Sequence, residues 1–282
     1  MILLRTIAEA REHVASARQR GLAIGLVPTM GALHAGHGEL MRRARAETGY
    51  VVATIFVNPT QFDRPDDFEK YPRNLQADLA FSESIGVDVV FAPSAKEMYP
   101  VETLTSIEVT GISSRLEGEF RPGHFRGVAT VVAKLFNIVP ADRAYFGEKD
   151  AQQLAVIQKM VADLNVPVTI VPVPTVREPD GLAMSSRNQR LTPEDRRIAP
   201  ALYQALCEAE NLIRNGTRSS TAVTEGALAV VKQKPVLRIE YLEVVDPATF
   251  QPVDVVSGEV RIVVAAWLGG VRLIDNLFVP VG

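Results

Sequence analysis

The sequence contains a single cysteine, Cys207, among its 282 residues. One cysteine excludes an internal disulfide and any zinc or iron–sulfur site built from several thiolates. Long apolar runs are also missing, because no stretch approaches the roughly 18 residues that a membrane-spanning helix needs. The apolar patch at Met1–Arg5 is too short for a signal peptide, and acidic residues soon follow it. We therefore expect a soluble, cytoplasmic protein without a membrane partner.

An excess of positive charge is absent as well. Lys and Arg number 30 against 33 Asp and Glu, which gives a net charge of −3 at pH 7. The sequence therefore shows no basic surface for general nucleic-acid binding, and we expect no nucleic-acid partner. Hydrophobic residues make up 47% of the chain and charged residues 22%, which is typical of a folded globular protein.

Short apolar runs alternate with helical patterns in the first part of the chain. The strand-like runs are Leu22–Val27, Val51–Val57, Val87–Phe91, Arg143–Phe146 and Val168–Val173, and the helical segments are Glu39–Glu47, Leu75–Ile85, Val128–Ile138 and Gln152–Leu164. Strands that are apolar on both faces and separated by helices predict a doubly wound, Rossmann-like α/β domain with a parallel sheet. Ligands of such a domain bind beyond the carboxyl ends of the strands.

The pattern changes at the proline-containing connector Val171–Thr175, which predicts a domain boundary. We place a first domain at residues 1–176 and a smaller α+β domain at residues 177–282. The smaller domain is predicted to contain a helix from Thr192 to about Asn215, a helix at Ser220–Gln233, and short, antiparallel strands at Leu237–Val245, Val260–Ala266 and Arg272–Val279.

The first predicted strand is followed by two histidines, His34 and His37. Their spacing places both rings on one side of the first turn of the helix that follows. A helix N-terminus offers unpaired N–H groups and partial positive charge, and Gly31 and Gly36 allow a ligand to approach the backbone, so a phosphate group is the expected ligand. Two alternatives stay open: solvated surface histidines, or half of a metal site with Glu39 as the local carboxylate.

Polar side chains follow two further strand ends. Asn58 and Gln61 carry neutral amides that can bind hydroxyl and carboxylate groups, although an ordinary Asn-Pro turn is the alternative for Asn58. Lys149 can neutralise a phosphate, and Asp150 can accept ribose hydroxyls, cap the next helix, or do both. Because the carboxyl ends of parallel strands meet at one edge of a sheet, we expect these residues to lie on the same edge as the histidines.

Three loops complete the candidate site. Ser185-Ser186-Arg187 supplies two hydroxyls and a guanidinium, which suits a triphosphate that is gripped and then released as pyrophosphate; a solvated linker is the alternative. Arg115–Gly127 is interpreted either as a substrate-facing loop or subunit contact, or as a plain surface loop. Asp63–Lys70 is predicted to be a mobile polar loop near the site.

Several of these stretches resemble one protein family. Met30–His37 is similar to the HIGH-type signature of the nucleotidyltransferase and class I aminoacyl-tRNA synthetase superfamily. The resemblance narrows to the pantothenate synthetase (pantoate–β-alanine ligase) family through Phe56–Phe62, Arg121–Val128, Phe146–Asp150, Gly181–Asn188 and Arg272–Asn276. The motifs follow one another in order over nearly the whole chain, and Gly38, Glu39, Thr60 and Ala151 depart from the residues usual in the family.

The resemblance implies an ATP-dependent condensation of (R)-pantoate with β-alanine, which gives pantothenate, AMP and pyrophosphate through a pantoyl adenylate. Residues 1–176 would bind ATP and pantoate, and residues 177–282 would close over the active site. It further implies Mg²⁺ bound through the triphosphate, with no metal site of the protein itself. A homodimer is implied as well, in which the apolar run Val87–Phe91 could pair across the interface.

The resemblance also assigns roles to individual residues. Those assigned to ATP are Met30, Gly31, Ala32, Leu33, His34, Ala35, Gly36, His37, Gly147, Glu148, Lys149, Asp150, Val176, Met184, Ser185, Ser186 and Arg187. Pantoate would be held by Gln61, Gln153 and Asn58, with Gln61 also close to β-alanine. His37 would act as the general acid at the departing phosphate, and the catalytic group would also include His34, Lys149, Ser185, Ser186 and Arg187.

Other functions stay open at this point. Another adenylyl- or cytidylyltransferase of the superfamily would join a nucleotide to its acceptor and stop there. An aminoacyl-tRNA synthetase is disfavoured, since no basic tRNA-reading domain is visible. A nucleotide-binding regulatory module would bind ATP without consuming it when pantoate and β-alanine are added.

Overall fold

In a computed structural model, which describes residues 1–281, the chain divides into two compact units. The first unit comprises residues 1–148 and 156–174, and the second comprises residues 149–155 and the chain from residue 175 onward. In the described part of the chain, no helix combines the length and the apolar character that crossing a membrane requires. The functional assignment of residues 1–176 and 177–282 to two domains stays a prediction.

Parallel strands form the centre of the first unit. They are β1 (Ile2–Leu4), β2 (Ile24–Thr29), β3 (Tyr50–Ile55), β4 (Val89–Phe91), β5 (Arg143–Gly147) and β6 (Thr169–Val173). The helices along this part of the chain are α1 (Ile7–Gln19), α2 (Ala35–Glu47), α3 (Pro65–Lys70), α4 (Leu75–Ile85), α5 (Ala95–Met98), α6 (Glu117–Phe120), α7 (His124–Ile138) and α8 (Ala151–Asp163). This arrangement confirms the predicted doubly wound parallel sheet.

The strand order is β1-β4-β3-β2-β5-β6, so β2 pairs with β3 on one side and with β5 on the other. The chain order therefore reverses direction between β2 and β5. In open α/β sheets, ligands bind at such a switch point, beyond the carboxyl ends of the strands. The segments that follow β2, β3 and β5 contain the amide side chains and the residues predicted to bind phosphate.

The edge strand β1 is absent from the sequence prediction, because three residues are too few to show a period. It pairs with β4, with Leu3 opposite Val90. Since β4 also pairs with β3, both of its edges are occupied within the chain. The predicted pairing of Val87–Phe91 across a subunit interface is therefore wrong.

Two segments predicted as loops contain helices. Asp63–Lys70 includes α3, where Pro65 occupies the first helical position and its missing N–H is no disadvantage. Arg115–Gly127 includes α6 and the first turn of α7, which begins at His124 rather than at Val128. The helix α4 has the predicted bounds, because Asn74 caps its N-terminus and Gly86 adopts the left-handed conformation after its last residue.

The second unit confirms the predicted α+β arrangement. Its further elements are α9 (Pro193–Ile198), α10 (Ala201–Arg214), α11 (Ser220–Lys232), β7 (Arg238–Val245), β8 (Glu259–Leu268) and β9 (Val271–Pro280), with the strands antiparallel in the order β7-β8-β9. Apolar side chains of α10, α11 and this sheet form its core, among them Leu202, Leu206, Ile213, Val231, Ile262 and Val264. The single helix predicted from Thr192 to Asn215 is wrong: it breaks at Pro200, which has no N–H to continue the helix.

Candidate active site

A buried carboxylate shapes the loop that follows β2. The Oδ1 and Oδ2 atoms of Asp78, in the first turn of α4, accept hydrogen bonds from the backbone N–H groups of Leu33 (2.8 Å) and Ala32 (3.0 Å). Gly31 has a φ of +81°, and a Cβ atom added there would lie 2.8 Å from Asp78 Oδ2. Asp78 therefore determines how the chain enters α2, a role that no motif in the sequence indicates.

The two histidines cap α2 with their own side chains. Nδ1 of His34 accepts from the backbone N–H of Gly36 (3.2 Å), and Nδ1 of His37 accepts from the backbone N–H of His34 (3.3 Å). The ring centroids are 4.1 Å apart. A nitrogen that accepts a hydrogen bond carries no proton, so the neutral rings hold their proton on Nε2. Each ring therefore has its donor at Nε2, and the two rings lie together at the start of the helix.

The alternative of a metal site receives no third ligand from the structure. Glu39, the local carboxylate, accepts instead from Arg42 Nε at 3.1 Å. Among residues 1–281, no three side chains of His, Cys, Asp or Glu group in a way that could hold a metal ion. What the structure shows of the histidine pair is a cap on the N-terminus of α2.

After β3, the side chain of Asn58 is almost completely buried, with 1% of its surface exposed. Its Nδ2 donates to Gln61 Oε1 (3.0 Å) and to the carbonyl oxygen of Gly127 (3.2 Å). Its Oδ1 accepts from the hydroxyls of Tyr99 (2.9 Å) and Thr60 (3.0 Å). The amide is thus fully occupied within the chain, and its direct effect is to orient Gln61. The predicted contact of Asn58 with pantoate stays a prediction.

Because Gln61 Oε1 faces Asn58, the amide nitrogen of Gln61 points the other way. Nε2 lies 3.1 Å from the sulfur of Met30, and a thioether is only a weak acceptor. The side chain is 7% exposed. A ligand carboxylate or hydroxyl would be a much stronger partner for these N–H groups than the sulfur. The structure thus brings together two of the predicted binding residues, Met30 and Gln61.

The main chain of Gln61 is held from the start of α7. Its carbonyl oxygen accepts from His124 Nδ1 (2.8 Å) and from Arg121 Nη2 (3.4 Å). Arg121 also lies 3.2 Å from His124 Nε2 and 3.2 Å from Asp63 Oδ1. Since arginine only donates, Nε2 of His124 accepts and Nδ1 carries the proton, which describes a neutral ring. The segment Arg115–Gly127 therefore supports the Gln61 turn, a role outside both sequence interpretations.

Gly127 explains how closely α7 approaches this turn. A Cβ atom at this position would lie 2.3 Å from the carbonyl oxygen of Thr60 and 2.8 Å from Gln61 Cα. Both neighbours are backbone atoms, which cannot rotate out of the way. Only glycine allows this contact between helix and turn.

The residues after Gly147 form a short 3-10 turn, Glu148–Asp150, that leads into α8, and residues 149–155 of this stretch belong to the second unit. The ammonium of Lys149 lies 3.6 Å from Asp150 Oδ1, and the side chain is mostly buried. Gln153, one turn into α8, is half-buried, and the neighbouring Gln152 is buried. Lys149 thus presents its charge beside the start of a helix.

The segment 176–188, also in the second unit, is a tight loop. The backbone N–H of Met184 donates to the carbonyl oxygen of Val176 at 3.0 Å, which joins two residues assigned to ATP. Ser185 caps the 3-10 turn Ser186–Arg190, because its hydroxyl accepts from the backbone N–H of Arg187 (3.3 Å). The segment is therefore an ordered turn rather than the solvated linker that was the alternative.

Comparisons with known proteins agree along the whole chain. The family model described as pantoate-beta-alanine ligase matches residues 2–278. A pantothenate synthetase from Moorella thermoacetica is 52% identical over 281 residues, which are 100% of this chain and 99% of that protein. These similarities extend over both compact units.

Solved structures give the same result for the fold. A crystal structure of pantothenate synthetase from Thermus thermophilus superposes with a TM-score of 0.94 at 46% identity, covering 98% of this chain and 99% of that one. A pantoate-beta-alanine ligase from Francisella tularensis, described as complexed with beta-gamma ATP and beta-alanine, gives a TM-score of 0.81 at 37% identity and covers 98% and 97% of the two chains.

Proposed function

The chain belongs to the pantoate-beta-alanine ligase family and catalyses the ATP-dependent condensation of pantoate with β-alanine, and we propose that it does so through a pantoyl adenylate. A carboxylate is a poor acylating agent and must first become a mixed anhydride. The pantoate carboxylate attacks the α-phosphorus in line, the bond to the bridging oxygen breaks, and pyrophosphate leaves. No covalent intermediate on the protein is required, so catalysis consists of positioning and charge stabilisation.

The growing negative charge on pyrophosphate is proposed to meet cationic, imidazole N–H and hydroxyl groups. These groups are His34, His37, Lys149, Ser185, Ser186 and Arg187. The observation that carries the proposal is the double imidazole cap of α2. Because the backbone holds both Nδ1 atoms as acceptors, each neutral ring can offer its Nε2–H as an oriented hydrogen-bond donor to a phosphate oxygen. The general-acid role proposed for His37 requires the protonated ring, which gives up the hydrogen bond that Nδ1 accepts from the backbone.

The residues proposed to contact ATP are those that the family resemblance assigns to it. They are residues 30–37, residues 147–150, Val176, and residues 184–187. What supports them is local order within each unit: the Asp78-held loop before α2, and the hydrogen-bonded pair of Val176 and Met184. A helix start with additional donors is a suitable cradle for phosphate oxygens.

Pantoate is proposed to bind Gln61 and Gln153, with Gln61 also close to β-alanine. Asn58 is proposed as a further contact, for which its amide exchanges one of its hydrogen bonds within the chain. The weakly satisfied Nε2 supports the assignment of Gln61, because a substrate oxygen replaces a thioether as acceptor. In the second step, the neutral amine of β-alanine attacks the acyl carbon and the bond to AMP breaks. The amine loses its proton, and pantothenate and AMP are the products.

Mg²⁺ is proposed to enter with the triphosphate. The described residues fit a cation of this kind, because they offer phosphate-binding donors but no group of three potential metal ligands, and Mg²⁺ is usually held largely by substrate phosphates and water. When bound, it would neutralise part of the phosphate charge. The residues named above would position the phosphates around it.

Three properties of the whole molecule are also proposed. Residues 1–176 act as the ATP- and pantoate-binding domain, and residues 177–282, together with the segment Asp63–Lys70, cover the reactive intermediate from water. The protein is a homodimer and works in the cytoplasm.

An AMP-release assay tests the proposed function. With ATP, pantoate and β-alanine present, AMP should form in step with pantothenate, and omission of β-alanine should leave pyrophosphate exchange into ATP that depends on pantoate. A stable nucleotidylated product without AMP release would indicate another nucleotidyltransferase. Binding of ATP without its consumption would indicate a regulatory module and refute the proposal.

A further inference from the structure

Two consecutive polar residues lie buried in the central part of β9. Asp275 is 4% exposed and Asn276 is 5% exposed, although successive side chains of a strand point to opposite faces. Both belong to the motif Arg272–Asn276, which resembles the family but has no role in the reaction proposed above. Burying an aspartate and an asparagine is unfavourable unless their hydrogen bonds are satisfied, so their partners indicate what they do.

The orientation of the Asn276 amide follows from hydrogen-bond chemistry. Its Oδ1 accepts from Arg261 Nη1, which can only donate. Its Nδ2 therefore points the other way and donates to the backbone carbonyl oxygen of Lys149 at 2.9 Å. Lys149 is the central residue of the 3-10 turn before α8. Asn276 thus holds the main chain of the lysine that the proposed function places at the phosphates.

Asp275 holds the beginning of the other phosphate-binding segment. Its two carboxylate oxygens accept from Nη1 (2.6 Å) and Nη2 (3.0 Å) of Arg177. Arg177 also donates to the carbonyl oxygen of Gly181 (3.1 Å), and its guanidinium lies over the ring of Tyr203. Burial raises the pKa of Asp275, while its hydrogen bonds from Arg177 and the nearby positive charge of Lys149 act against that rise. Asp275 thus connects β9 to the loop that carries Ser185–Arg187.

We infer that Asn276 and Asp275 are positioning residues for adenylation, which align Lys149 and the Ser185–Arg187 segment from one strand. The two segments lie 36 or more positions apart in the sequence, and β9 supplies a rigid element that contacts the main chain or the anchor of each. Neither residue need touch the substrates. The inference depends on the proposed function of Lys149 and of Ser185–Arg187.

The test replaces Asn276 by aspartate. N276D keeps the size of the side chain and an acceptor for Arg261, but it removes the donor to the Lys149 carbonyl and places a carboxylate beside that oxygen. Pantoate-dependent exchange of pyrophosphate into ATP should fall by about 10-fold or more, on the scale of misplacing one charge-stabilising group. The pantoate KM should stay within about twofold. N211D, at an exposed asparagine of the same unit, is the matched control.

A double-variant cycle separates positioning from general loss of structure. If Asn276 acts through Lys149, the variant K149A/N276D should be no slower than K149A alone, because the positioned group is already missing. Equal exchange rates in N276D and the wild type, or additive losses in the double variant, would overturn the inference. If K149A itself exchanges pyrophosphate at the wild-type rate, the role proposed for Lys149 in adenylation is refuted, independently of Asn276. Circular dichroism of each variant verifies that it is folded.

Arg177→Lys provides a second, independent test of Asp275. Lysine keeps the charge opposite the buried carboxylate, so the fold is retained, but it cannot form the two parallel hydrogen bonds. We expect a rise of about 3-fold or more in the KM for ATP with an unchanged KM for pantoate. Equal increases in both constants would indicate a merely structural role and overturn this part of the inference.

Discussion

At the residue scale, some imidazole and amide groups hydrogen-bond within the chain, while others are proposed to bind the substrates. In His34 and His37, Nδ1 accepts from the backbone and Nε2 keeps the proton. In the Asn58–Gln61 pair, Asn58 is used up by internal hydrogen bonds while the amide nitrogen of Gln61 meets only a weak acceptor. In each histidine the backbone holds one ring nitrogen, and in the amide pair Asn58 is held while Gln61 is proposed to bind the substrate.

Two substitutions test the different roles of the two ring nitrogens of His37. His37→Ala removes both nitrogens, while His37→Asn keeps an acceptor near the position of Nδ1 and removes the Nε2 donor. The adenylation rate of both variants should be lower by about 10²-fold or more, which is the scale of losing one charge-stabilising donor. The adenylation rate of the Lys149→Ala variant should fall by a similar factor. Pyrophosphate exchange measures the rate. His13→Ala, at a histidine of α1, should exchange as the wild type does; near-wild-type rates in H37A and H37N would remove His37 from the mechanism.

Gln61→Ala should mainly weaken pantoate binding. The variant loses the N–H groups proposed to meet the substrate oxygen, so the pantoate KM should rise by about 10-fold or more, on the scale of losing a hydrogen bond to a charged group. Initial rates at varied pantoate measure it, with exposed Gln19→Ala as the control. A KM equal to that of the wild type would refute the proposed role.

At the scale of elements, one short turn depends on a helix that begins 63 positions later in the sequence. The turn Pro59–Gln61 is held by His124 and Arg121 through its last carbonyl group, and it packs against Gly127 without an intervening side chain. The segment before α7 therefore helps to hold Asn58 and Gln61 in place. Substitutions in α7 should accordingly change the KM for pantoate.

Gly127→Ala tests that dependence. The added methyl group would lie 2.3 Å from the Thr60 carbonyl oxygen, so α7 and the turn must separate. We expect the free energy of unfolding to fall by about 1–3 kcal/mol, as for other overpacked sites, and the pantoate KM to rise. Urea denaturation and initial rates measure the two effects. Arg126→Ala, an exposed neighbour on α7, should change neither quantity; an unchanged pantoate KM in G127A would show that the contact is not needed for binding.

The connection between β7 and β8 carries a pH-dependent contribution to stability. Hydrogen bonds from the Thr249 hydroxyl and from the backbone N–H groups of Thr249 and Ala248 lower the pKa of Asp246. A lowered carboxylate pKa stabilises the folded state above the unfolded pKa of about 4, and this contribution is lost as the pH falls through the folded value. Asp246→Ala should therefore reduce the free energy of unfolding by about 1 kcal/mol at pH 7.

Urea denaturation at pH 7 and at pH 3 checks this sign. The difference between the wild type and D246A should shrink at the lower pH, because this carboxyl group is already protonated in most unfolded chains at pH 3. Asp254→Ala, at an exposed aspartate of the same connection, is the matched control and should show no such trend. A difference that grows on acidification would contradict the assignment.

At the scale of the whole molecule, the proposed dimer needs a surface other than β4, which is paired on both edges. Among the described residues, the large apolar side chains with the highest exposure are Leu104, at 92%, and Val101, at 77%. Both lie in a segment of the first unit that forms neither helix nor strand. The two residues are three positions apart in the sequence, and clustered apolar side chains on a surface are typical of a site that meets another protein.

Leu104→Glu should therefore weaken the dimer. A charge placed in an apolar contact is unfavourable, so the variant should sediment partly or wholly as a monomer at concentrations where the wild type is dimeric. Analytical ultracentrifugation over a range of concentrations is the measurement. Val255→Glu changes an exposed valine of the second unit, which is 65% exposed, and should leave the dimer intact. A fully dimeric L104E would place the interface elsewhere.

Local patterns in the sequence determined the fold class, the principal strands and the motifs. Alternating apolar strands and helices, caps such as Asn74, and turn residues such as Gly86 act over a few positions, so their effect can be predicted without the rest of the chain. For the same reason the histidine pair, the amides and the segments proposed to bind phosphate can be picked out from the sequence alone.

Only the tertiary structure decided what those residues touch. Asp78 holds a loop 45 positions earlier, Asn276 holds a carbonyl group 127 positions earlier, and β1 occupies the edge of β4. Such contacts depend on which faces and strand ends the whole chain brings together. No periodicity or short motif predicts these contacts. Many residues could make them equally well by local preference, and only the packing of the whole chain determines which ones do.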